Sequence, residues 1–425
     1  MLRKRKIERI FMLVSQILRI IGASVFAIMF AYRIVYIAIS IFGKQKPLKK
    51  DVKYRKYAVI SCARNEREVI PQLLDSVKAQ TYPSEYIDMF VMADNCTDDT
   101  AAVARQAGAI VYERFNKEQV GKGYALDALL NHMLDDGYDD YDGYFIFDSD
   151  NILSSDYIDK MNRFYDEKYD AISGNRQSKN YADNWISAGY SETYLREMRL
   201  MNYPRQIVGS CASVTGTGFM ILPHVIKELH GWKFFTLTED TEFYASRVLK
   251  DGLIGYNADA IFYDEQPTEF SQSWTQRMRW TKGYLQILAS KGPALLKKIF
   301  SKNGFWAWDL LCSMIPGFVL VIMTVIADSL EFGSRLIHAM PLLPLLTKVL
   351  ENGLTMYSSL FALGLLVTIL EWKNIKAPTK DKLLFNITFP AFMITFVPIS
   401  VAAIFKRVKW DPIKHKKAES VEEFK

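Results

Sequence analysis

Four long apolar runs, one near the start and three near the end, constrain this chain more than any other feature of its sequence. The first covers residues 20–42, and the later ones cover about 305–330, 353–370 and 383–405. Each has about the length that an α-helix needs to cross a bilayer. We therefore predict a membrane protein with one polar domain between the first run and residue 304.

The charges around the first run indicate how the chain is oriented. Seven basic residues follow it between Lys44 and Lys56, against six before it, which favours a cytosolic polar domain. Arg33 interrupts the run and is costly in lipid unless it faces other helices or a polar path. The opening MLRKRK is similar to the start of a signal peptide, but no small-residue cleavage site follows, so we expect an uncleaved anchor.

Charge and cysteine content exclude several classes of protein. The formal net charge is only +6, which is too small to indicate nucleic acid as a main partner. The four cysteines form no CxxC pair, so neither a zinc site nor a disulfide framework is indicated, and a reducing compartment fits. The absence of a GxGxxG or P-loop motif argues against a dinucleotide or P-loop site.

Between residues 51 and 300 the sequence alternates short apolar strands with helices. Alternation with short links predicts an α/β fold, in which a largely parallel sheet is covered by helices. Such sheets bind ligands at the carboxyl ends of their strands. The predicted strands are 56–63, 87–94, 109–115 and 143–150, and the predicted helices are 66–80, 97–108 and 123–136.

Carboxylates stand where three of these strands end. Glu66 follows the first strand, Asp94 ends the second, and Asp148 and Asp150 end the fourth. Asp94 could hold a ribose hydroxyl or a base edge. Asp148 and Asp150 could hold a hard cation, Mg²⁺ or Mn²⁺, that bridges a diphosphate. The alternative is that acids simply end strands and cap helices, and for the TDDT segment (97–100) we favour it.

Two further polar segments admit two interpretations each. The GKG segment before the third helix could present Lys122 to a phosphate, or it could simply start the helix. Glu239, Asp240 and Glu242 form a later cluster, and carboxylates so close raise one another's pKa, which suits a general base for a sugar hydroxyl. A helix that begins after Thr238 would also explain these acids, and both interpretations can hold at once.

The segment QRMRW (276–280) combines two cations with an indole. On a helix Gln276, Arg279 and Trp280 share one face, which could offer a cation to a leaving diphosphate and a ring to a sugar. Arg277 points elsewhere, and we expect Arg277 and Lys282 at the lipid surface. The alternative is an amphipathic helix that only lies on lipid headgroups.

Taken in order, the segments ARNE, ADN, DSD, TED and QRMRW resemble the motifs of the inverting family-2 glycosyltransferases. The resemblance covers about residues 56–290 and is closest to the membrane-embedded processive branch, which makes cellulose, chitin, hyaluronan and poly-N-acetylglucosamine. It implies a GT-A-like (Rossmann-type) cytosolic domain inserted between transmembrane helices of the cell membrane. It also implies a UDP-sugar donor (glucose or N-acetylglucosamine), Mg²⁺ or Mn²⁺ as cofactor, and a growing glycan, membrane lipid and accessory export subunits as partners.

The resemblance assigns roles to individual residues. Asp240 is expected to be the general base on the acceptor hydroxyl, and Asp148 and Asp150 the Asp-x-Asp pair at ribose, diphosphate and metal. Nucleotide-sugar contacts are further expected at Asn65, Glu66, Asp94 and Lys122, and acceptor and diphosphate contacts at Gly216, Thr217, Gly218, Glu239, Gln276, Arg279 and Trp280.

The predicted plan has an N-terminal anchor (1–50), a glycosyltransferase domain (51–270), interface helices (271–304), transmembrane helices (305–410) and a tail (411–425). The leading hypothesis is a processive β-glycan synthase that extrudes its product. The alternatives are a non-processive transferase to a lipid acceptor and a non-catalytic scaffold that binds nucleotide sugars. The chain departs from the processive pattern because no clear gating-loop motif of the FxVTxK or WGTR kind occurs.

Overall fold

One mixed sheet of eight strands lies at the centre of the computed structural model, which describes residues 2–315, 318–337 and 340–408. Its order is β3-β2-β1-β4-β7-β6-β8-β5. The first four strands of that order are parallel, β7 is antiparallel to both neighbours, and β6 and β8 are parallel. The strands are β1 (Tyr57–Ala63), β2 (Ile87–Asp94), β3 (Ile110–Arg114), β4 (Gly143–Asp148), β5 (Ile152–Leu153), β6 (Tyr169–Ser178), β7 (Phe219–Ile221) and β8 (Leu253–Asp264).

Helices cover both faces of this sheet and continue beyond it. They are α1 (Leu2–Phe30), α2 (Tyr32–Phe42), α3 (Ile70–Lys78), α4 (Thr100–Gln106), α5 (Lys122–Asp135), α6 (Tyr157–Phe164), α7 (Trp185–Arg196), α8 (Tyr203–Val208), α9 (Pro223–Leu229), α10 (Glu239–Leu249), α11 (Phe270–Lys298), α12 (Gly304–Met314), α13 (Phe318–Ile337), α14 (Leu343–Leu370), α15 (Thr379–Ile394) and α16 (Phe396–Phe405). A π-helical segment (Glu197–Asn202) joins α7 to α8.

Alternating side chains of the strands build two cores. Along β1, Ala58 and Ile60 face one core together with Leu126 and Leu129 of α5. Tyr57 and its alternate neighbours face the opposite core, which α3 and α6 cover. A sheet buried on both faces explains why β1 is apolar at every position but Ser61, rather than alternating between apolar and polar residues.

The α/β prediction is confirmed, and the four predicted strands are present to within two residues at each end. The predicted helix 66–80 begins later, at Ile70, because Asn65 adopts a left-handed conformation (φ 58°) that turns the chain after β1. The parallel expectation holds for β1 to β4. The short antiparallel strand β7 joins this half of the sheet to β6.

Three helical stretches in the described ranges are long and apolar enough to span a membrane: Ile10–Phe42, Leu343–Leu370 and Thr379–Phe405. The run expected at 305–330 is divided instead between α12 and α13. α12 packs into the core through Leu310 and Leu311. The predicted tail, 411–425, lies outside the described residues.

Candidate active site

The loops after β1 and β2 are tied together at the carboxyl edge of the sheet. The Oδ1 atom of Asn65 accepts a hydrogen bond of 2.7 Å from a backbone N–H in the loop after β2. The N–H of Glu66 donates to the hydroxyl of Thr100 at 2.9 Å. Asp94 is buried, and Arg114 donates to one of its oxygens at 2.7 Å. The three predicted nucleotide contacts therefore share one edge, although Asn65 and Asp94 are partly engaged by the protein itself.

Three carboxylates meet at the ends of β4 and β8. Asp148, Asp150 and Asp264 each offer an oxygen, and these oxygens all lie within 4.8 Å of one another. Such a donor set fits a hard divalent cation. Asp264 is the most engaged, because it accepts from Arg176 Nε at 3.0 Å and from Asn151 Nδ2 at 2.8 Å. Asp148 and Asp150 have fewer hydrogen bonds from the protein than Asp264, and their assignment as metal ligands stays a prediction.

A turn before β7 connects this cluster to the second acidic site. Lys122 Nζ is hydrogen-bonded to Asp148 Oδ1 and donates to the carbonyl oxygen of Gly216 at 2.7 Å. Gly216 has a φ of 83°, and a Cβ at that position would stand 3.7 Å from Asp240 Oδ2. The turn at Gly216 therefore lies close to Lys122, Asp148 and Asp240. A side chain at position 216 would strain this turn, because its φ is positive.

The next two residues of the turn support the cluster from within the protein. Thr217 is fully buried, and its Oγ1 accepts from the backbone N–H of Asp148 at 2.8 Å. Gly218 has a φ of 66°, and a Cβ there would overlap the ring of Phe262 in β8. Thr217 and Gly218 were predicted as acceptor contacts, and in this structure they pack beneath the carboxylates.

Glu239 and Asp240 form the first turn of α10, so the predicted helix start at this point is correct. Burial, followed by the charge of Asp240, raises the pKa of Glu239 to about 7. Burial also raises the pKa of Asp240, while the charges of Lys122 and Arg176 lower it. A carboxylate whose pKa is raised toward neutrality is suited to accept a proton from a hydroxyl.

The QRMRW segment lies within the long helix α11. Trp280 is half-buried, with its ring centroid 5.7 Å from that of Tyr190 and 6.1 Å from that of Tyr194. Arg279 acts on the acidic site, since its charge lowers the pKa of Glu239 against the larger effect of burial. Gln276 Oε1 is buried without a hydrogen bond in the part of the chain that the structure describes.

The expectation that Arg277 faces lipid is wrong, whereas that for Lys282, which is half-exposed, stays a prediction. Arg277 is fully buried, and its Nη1 donates to Thr395 Oγ1 at 2.7 Å and to the Phe392 carbonyl at 3.3 Å. Lys282 Nζ donates to the carbonyl of Ala403 at 3.1 Å, near the end of α16. The physical reason is that α15 and α16 fold back over α11, which the local sequence around position 277 does not indicate.

Asp264 and Arg176 were not predicted from the sequence. Arg176 comes from β6, and its guanidinium lies 3.7 Å from the ring centroid of Tyr194 as well as against Asp264. The segment AIFYDE (260–265) ends a strand in acids, as the segment before Asp148 does, so the same signal could have identified Asp264. Arg176 carries no comparable local signal.

Parallel strands that end in carboxylates, a three-carboxylate cluster and a half-buried acidic pair are consistent with a GT-A-like fold. The sequence model described as "Glycosyltransferase like family 2" matches residues 55–283, more than half of the 425. The chain belongs to this family and is a glycosyltransferase.

Known proteins agree with this assignment at different levels of detail. The probable glycosyltransferase YdaM of Bacillus subtilis is 27% identical over 238 residues, which are 54% of this chain and 55% of that protein. The beta-monoglucosyldiacylglycerol synthase of Synechocystis is 24% identical over 241 residues, 55% of this chain and 49% of that protein. The chain therefore spans about half the length of the curated relatives it matches.

A solved structure shares the fold across nearly the whole chain. The mannosyltransferase PcManGT of Pyrobaculum calidifontis, in complex with GDP-Man and Mn²⁺, superposes with a TM-score of 0.56 at 15% identity. The match covers 91% of this chain and 99% of that one. It supports the GT-A-like architecture.

Proposed function

We propose that the chain transfers a hexose with inversion from a UDP-sugar to a hydroxyl group of a membrane lipid. The observation that carries this proposal is the turn at Gly216, which borders Asp148 and Lys122 on one side and Asp240 on the other. A donor diphosphate at Asp148 and a base at Asp240 would thereby lie in one cleft. Inversion needs a base and a stabilised leaving group, and no protein nucleophile.

Each part of the cleft has a proposed role. A divalent cation held by Asp148 and Asp150 would neutralise charge on the leaving diphosphate. Arg279 and Lys122 would add positive charge at the same place, where electrostatic stabilisation of the leaving group matters most. Asp240 would accept the proton of the attacking hydroxyl, and burial, which raises its pKa, would help it to hold that proton.

The lipid acceptor is supported by where α11 lies and by one relative. α11 packs against α10 at the acidic pair, where a Cβ on Gly283 would collide with Thr238, and against α16 of the third candidate span. The catalytic cleft is thus bordered by elements that continue into apolar helices. The Synechocystis relative is, by its name, a synthase of a glucosyl diacylglycerol. We propose a cytosolic domain at the face of the cell membrane.

A growing glycan is the second candidate acceptor, and Trp280 favours it. The indole of Trp280 packs edge-on against the rings of Tyr190 and Tyr194. A sugar ring could stack on such an aromatic surface. Processive synthesis would use the same base and the same leaving group.

The nature of the product decides between the two acceptors. The full chain in lipid nanodiscs is incubated with radiolabelled UDP-glucose or UDP-N-acetylglucosamine and Mg²⁺ or Mn²⁺, and the label is partitioned between organic solvent and high-mass glycan. We expect organic-soluble label that disappears with a chelator and with Asp240→Asn. High-mass glycan without labelled lipid would replace the first candidate by the second. Absence of UDP release with every donor would contradict both.

Trp280→Ala tests whether this side chain serves the acceptor. We expect transfer to fall by about fivefold or more while the dissociation constant for UDP changes little, since a lost stacking contact with a ring is worth about 1 kcal/mol. Trp274→Ala is the matched control, because Trp274 lies on the same helix and packs on Phe270. Equal loss of UDP binding and transfer would mean that Trp280 is structural.

A further inference from the structure

A cavity of about 320 Å³ lies where two of the candidate spans reach the catalytic domain. Lys44 and Lys46, in the linker that follows the first candidate span, line it, and so do Glu371 and Asn374, which come directly after the second. Both candidate spans thus end at the cavity, at the level where a membrane surface would meet the protein. The residues that line it do not include the carboxylates of the candidate active site.

A bulge in β8 forms a further wall of the cavity. The paired positions of β6 and β8 advance by two residues along β6 while they advance by five along β8, from Tyr256 to Ile261. The extra residues of β8 leave the ladder, and Ala258 and Asp259 among them line the cavity. Bulges of this kind redirect side chains and recur beside functional sites.

Gln45 holds the linker against this bulge. Its Nε2 donates to the carbonyl of Tyr256 at 2.6 Å, and its Oε1 accepts from the backbone N–H of Ala258 at 3.3 Å. Its own backbone N–H donates to the hydroxyl of Tyr203 at 3.3 Å. Asn175 of β6 donates to the carbonyl of Ala258 at 2.9 Å. Hydrogen bonds from three elements therefore fix the shape of the cavity.

One acid and one cation of the cavity offset each other. Arg199 Nη2 donates to the carbonyl of Ser40 at 2.8 Å, and the guanidinium lies 4.4 Å from the ring centroid of Tyr203. Arg199 Nε lies 3.7 Å from a carboxylate oxygen of Glu371, whose other oxygen accepts from Asn374 at 2.7 Å. The charges of Arg199 and Glu371 thus balance on one wall.

The two lysines are left without an acid. Lys44 and Lys46 are exposed, and within residues 2–315, 318–337 and 340–408 neither has a carboxylate oxygen within the 4.0 Å of an ion pair. The remaining acid of the lining, Asp259, is also exposed and lies beyond that distance. The cavity therefore has a net positive charge, which resides at the two lysines.

An apolar side chain stands beside these lysines. Phe42 is the last residue of the first candidate span, two positions before Lys44, and it is 81% exposed. A lipid whose acyl chains pack beside Phe42 would bring its phosphate to the level of the lysines. Basic pockets between membrane helices at the membrane surface are a known setting for anionic headgroups.

We propose that this cavity binds the phosphodiester headgroup of one anionic phospholipid from the leaflet against which the catalytic domain lies. Lys44 and Lys46 pair with the phosphate, and the hydroxyl groups of the headgroup enter the cavity toward Asn374. The lipid is a bound ligand and not a substrate, and it ties the end of the first candidate span to the bulge of β8. The inference does not depend on which acceptor the enzyme uses.

Short-chain lipids test the site directly. The full chain, purified in a non-ionic detergent, is titrated with dioctanoyl phosphatidylglycerol, and bound lipid is counted by native mass spectrometry while the melting temperature is recorded. We expect one tightly held lipid per chain and a melting temperature that rises to a plateau. Dioctanoyl phosphatidylcholine, whose headgroup adds a fixed positive charge, should bind about tenfold more weakly or worse.

Two variants separate the charge of the site from its shape. Lys44→Gln combined with Lys46→Gln should weaken phosphatidylglycerol binding about tenfold or more, since both charges that pair with the phosphate are lost. Lys78→Gln combined with Lys227→Gln is the matched control, because it removes the same charge from exposed positions of α3 and α9. Ala258→Phe fills the cavity without a change of charge and should also prevent binding. Its melting temperature without lipid reports whether it folds, and the exposed lysine pair tests the site in either case.

Four results would overturn the inference. Equal affinity for phosphatidylcholine would remove the preference for an anion, and equal loss in the Lys78 and Lys227 control would reduce the effect to net charge. Unchanged binding in the Lys44 and Lys46 variant would locate the lipid elsewhere. Equal affinity for deacylated glycerophosphoglycerol would make the ligand a soluble phosphodiester and not a lipid. Each of these results leaves the proposed transfer reaction intact, since that reaction is measured by its glycosylated product.

Discussion

Two adjacent carboxylates at one helix start are the residue-scale feature on which the proposed chemistry depends. The backbone N–H groups at the start of α10 favour negative charge, while burial and mutual repulsion oppose it. For Glu239 the opposing effects, of which burial is the largest, raise the pKa to about 7. Burial also makes Asp240, the proposed base, harder to ionise than an exposed carboxylate, and Asp240 then holds an accepted proton more strongly.

The pH dependence of the rate should report this repulsion. Asp240 can act only when ionised, so kcat should rise with pH as its proton is lost. Burial and then the charge of Asp240 raise the pKa of Glu239, so Asp240 loses its proton first. Glu239→Gln should therefore leave the acidic limb of the kcat profile in place while it removes any change in kcat near pH 7. The measurement is kcat from pH 5 to 9 with saturating donor, and Glu113→Gln, a remote acid on the surface, is the control. A limb that moves to lower pH in Glu239→Gln would mean that Glu239, and not Asp240, ionises first.

The sequence indicates a residue's chemistry where the signal is local and not where it depends on distant pairing. Asp94 and Asp148 could be placed at the sheet edge because each directly follows an apolar strand. Asp264 offers the same signal at the end of β8. Arg176 meets Asp264 only because β6 and β8 pair across 88 positions of sequence, which no local pattern encodes.

At the scale of elements, the contact between α7 and α15 joins the catalytic domain to the third candidate span. Gly189 of α7 lies directly under the ring of Phe392, and a Cβ on it would stand 2.3 Å from Phe392 Cγ. Arg277 of α11 lies over the same ring, with its guanidinium 4.4 Å from the ring centroid. Phe392 of α15 therefore packs between α7 and α11.

A methyl group at position 189 should force these helices apart. Gly189→Ala should lower the melting temperature despite the better helix propensity of alanine, because overpacking costs about 1–3 kcal/mol. Gly353→Ala in α14 is the matched control, since nothing lies within 4 Å of a Cβ there, and it should be neutral or stabilising by up to about 1 kcal/mol. The measurement is thermal unfolding of both variants in the same nanodiscs. Equal behaviour of the two variants would mean that α7 and α15 are not in close contact.

The bounds of strands and helices could be predicted from the sequence where they depend on neighbouring residues alone. β1 and β2 match their predicted bounds to within one residue because a continuous apolar run bounded by polar residues has one regular solution. The continuous α7, π-helical segment and α8 were not predicted, because no composition signal marks a change from α to π spacing. The orientation of Arg277 depends on α15 and α16, more than a hundred residues later.

In the whole molecule, a buried carboxyl group lies at the interface between the catalytic domain and the C-terminal helices. Glu192 of α7 is 1% exposed, and its Oε1 accepts hydrogen bonds of 2.7 Å from Tyr181 and from Thr368 of α14. Asn386 of α15 donates to the same threonine at 2.9 Å. Burial raises the pKa of Glu192 to about 7, against the lowering effect of its two hydrogen bonds.

The stability of the assembled molecule should therefore fall as the pH rises. The folded pKa of Glu192 lies above its usual 4.5, so its contribution is fully present below about pH 4.5 and is lost as the pH rises through about 7. The loss is roughly 3–4 kcal/mol. Glu192→Gln removes the ionisation, so its melting temperature should exceed that of the wild type at pH 8.5 by more than at pH 5.5. The same difference at both values would show that Glu192 does not titrate in this range.

The burial of Arg277 also limits where the junctions of a chimaera between related proteins can be placed. A chimaera with its junction after α11 would combine Arg277 with a foreign C-terminal segment. The guanidinium could then lose its hydrogen bonds to Thr395 and to the Phe392 carbonyl and remain buried as an unpaired charge. α11 and the span formed by α15 and α16 should therefore be kept together in any chimaera. Chimaeras of related proteins should take residues 270–298 and 379–405 from the same parent, since a foreign span without these hydrogen-bond acceptors would leave the Arg277 charge buried and unpaired.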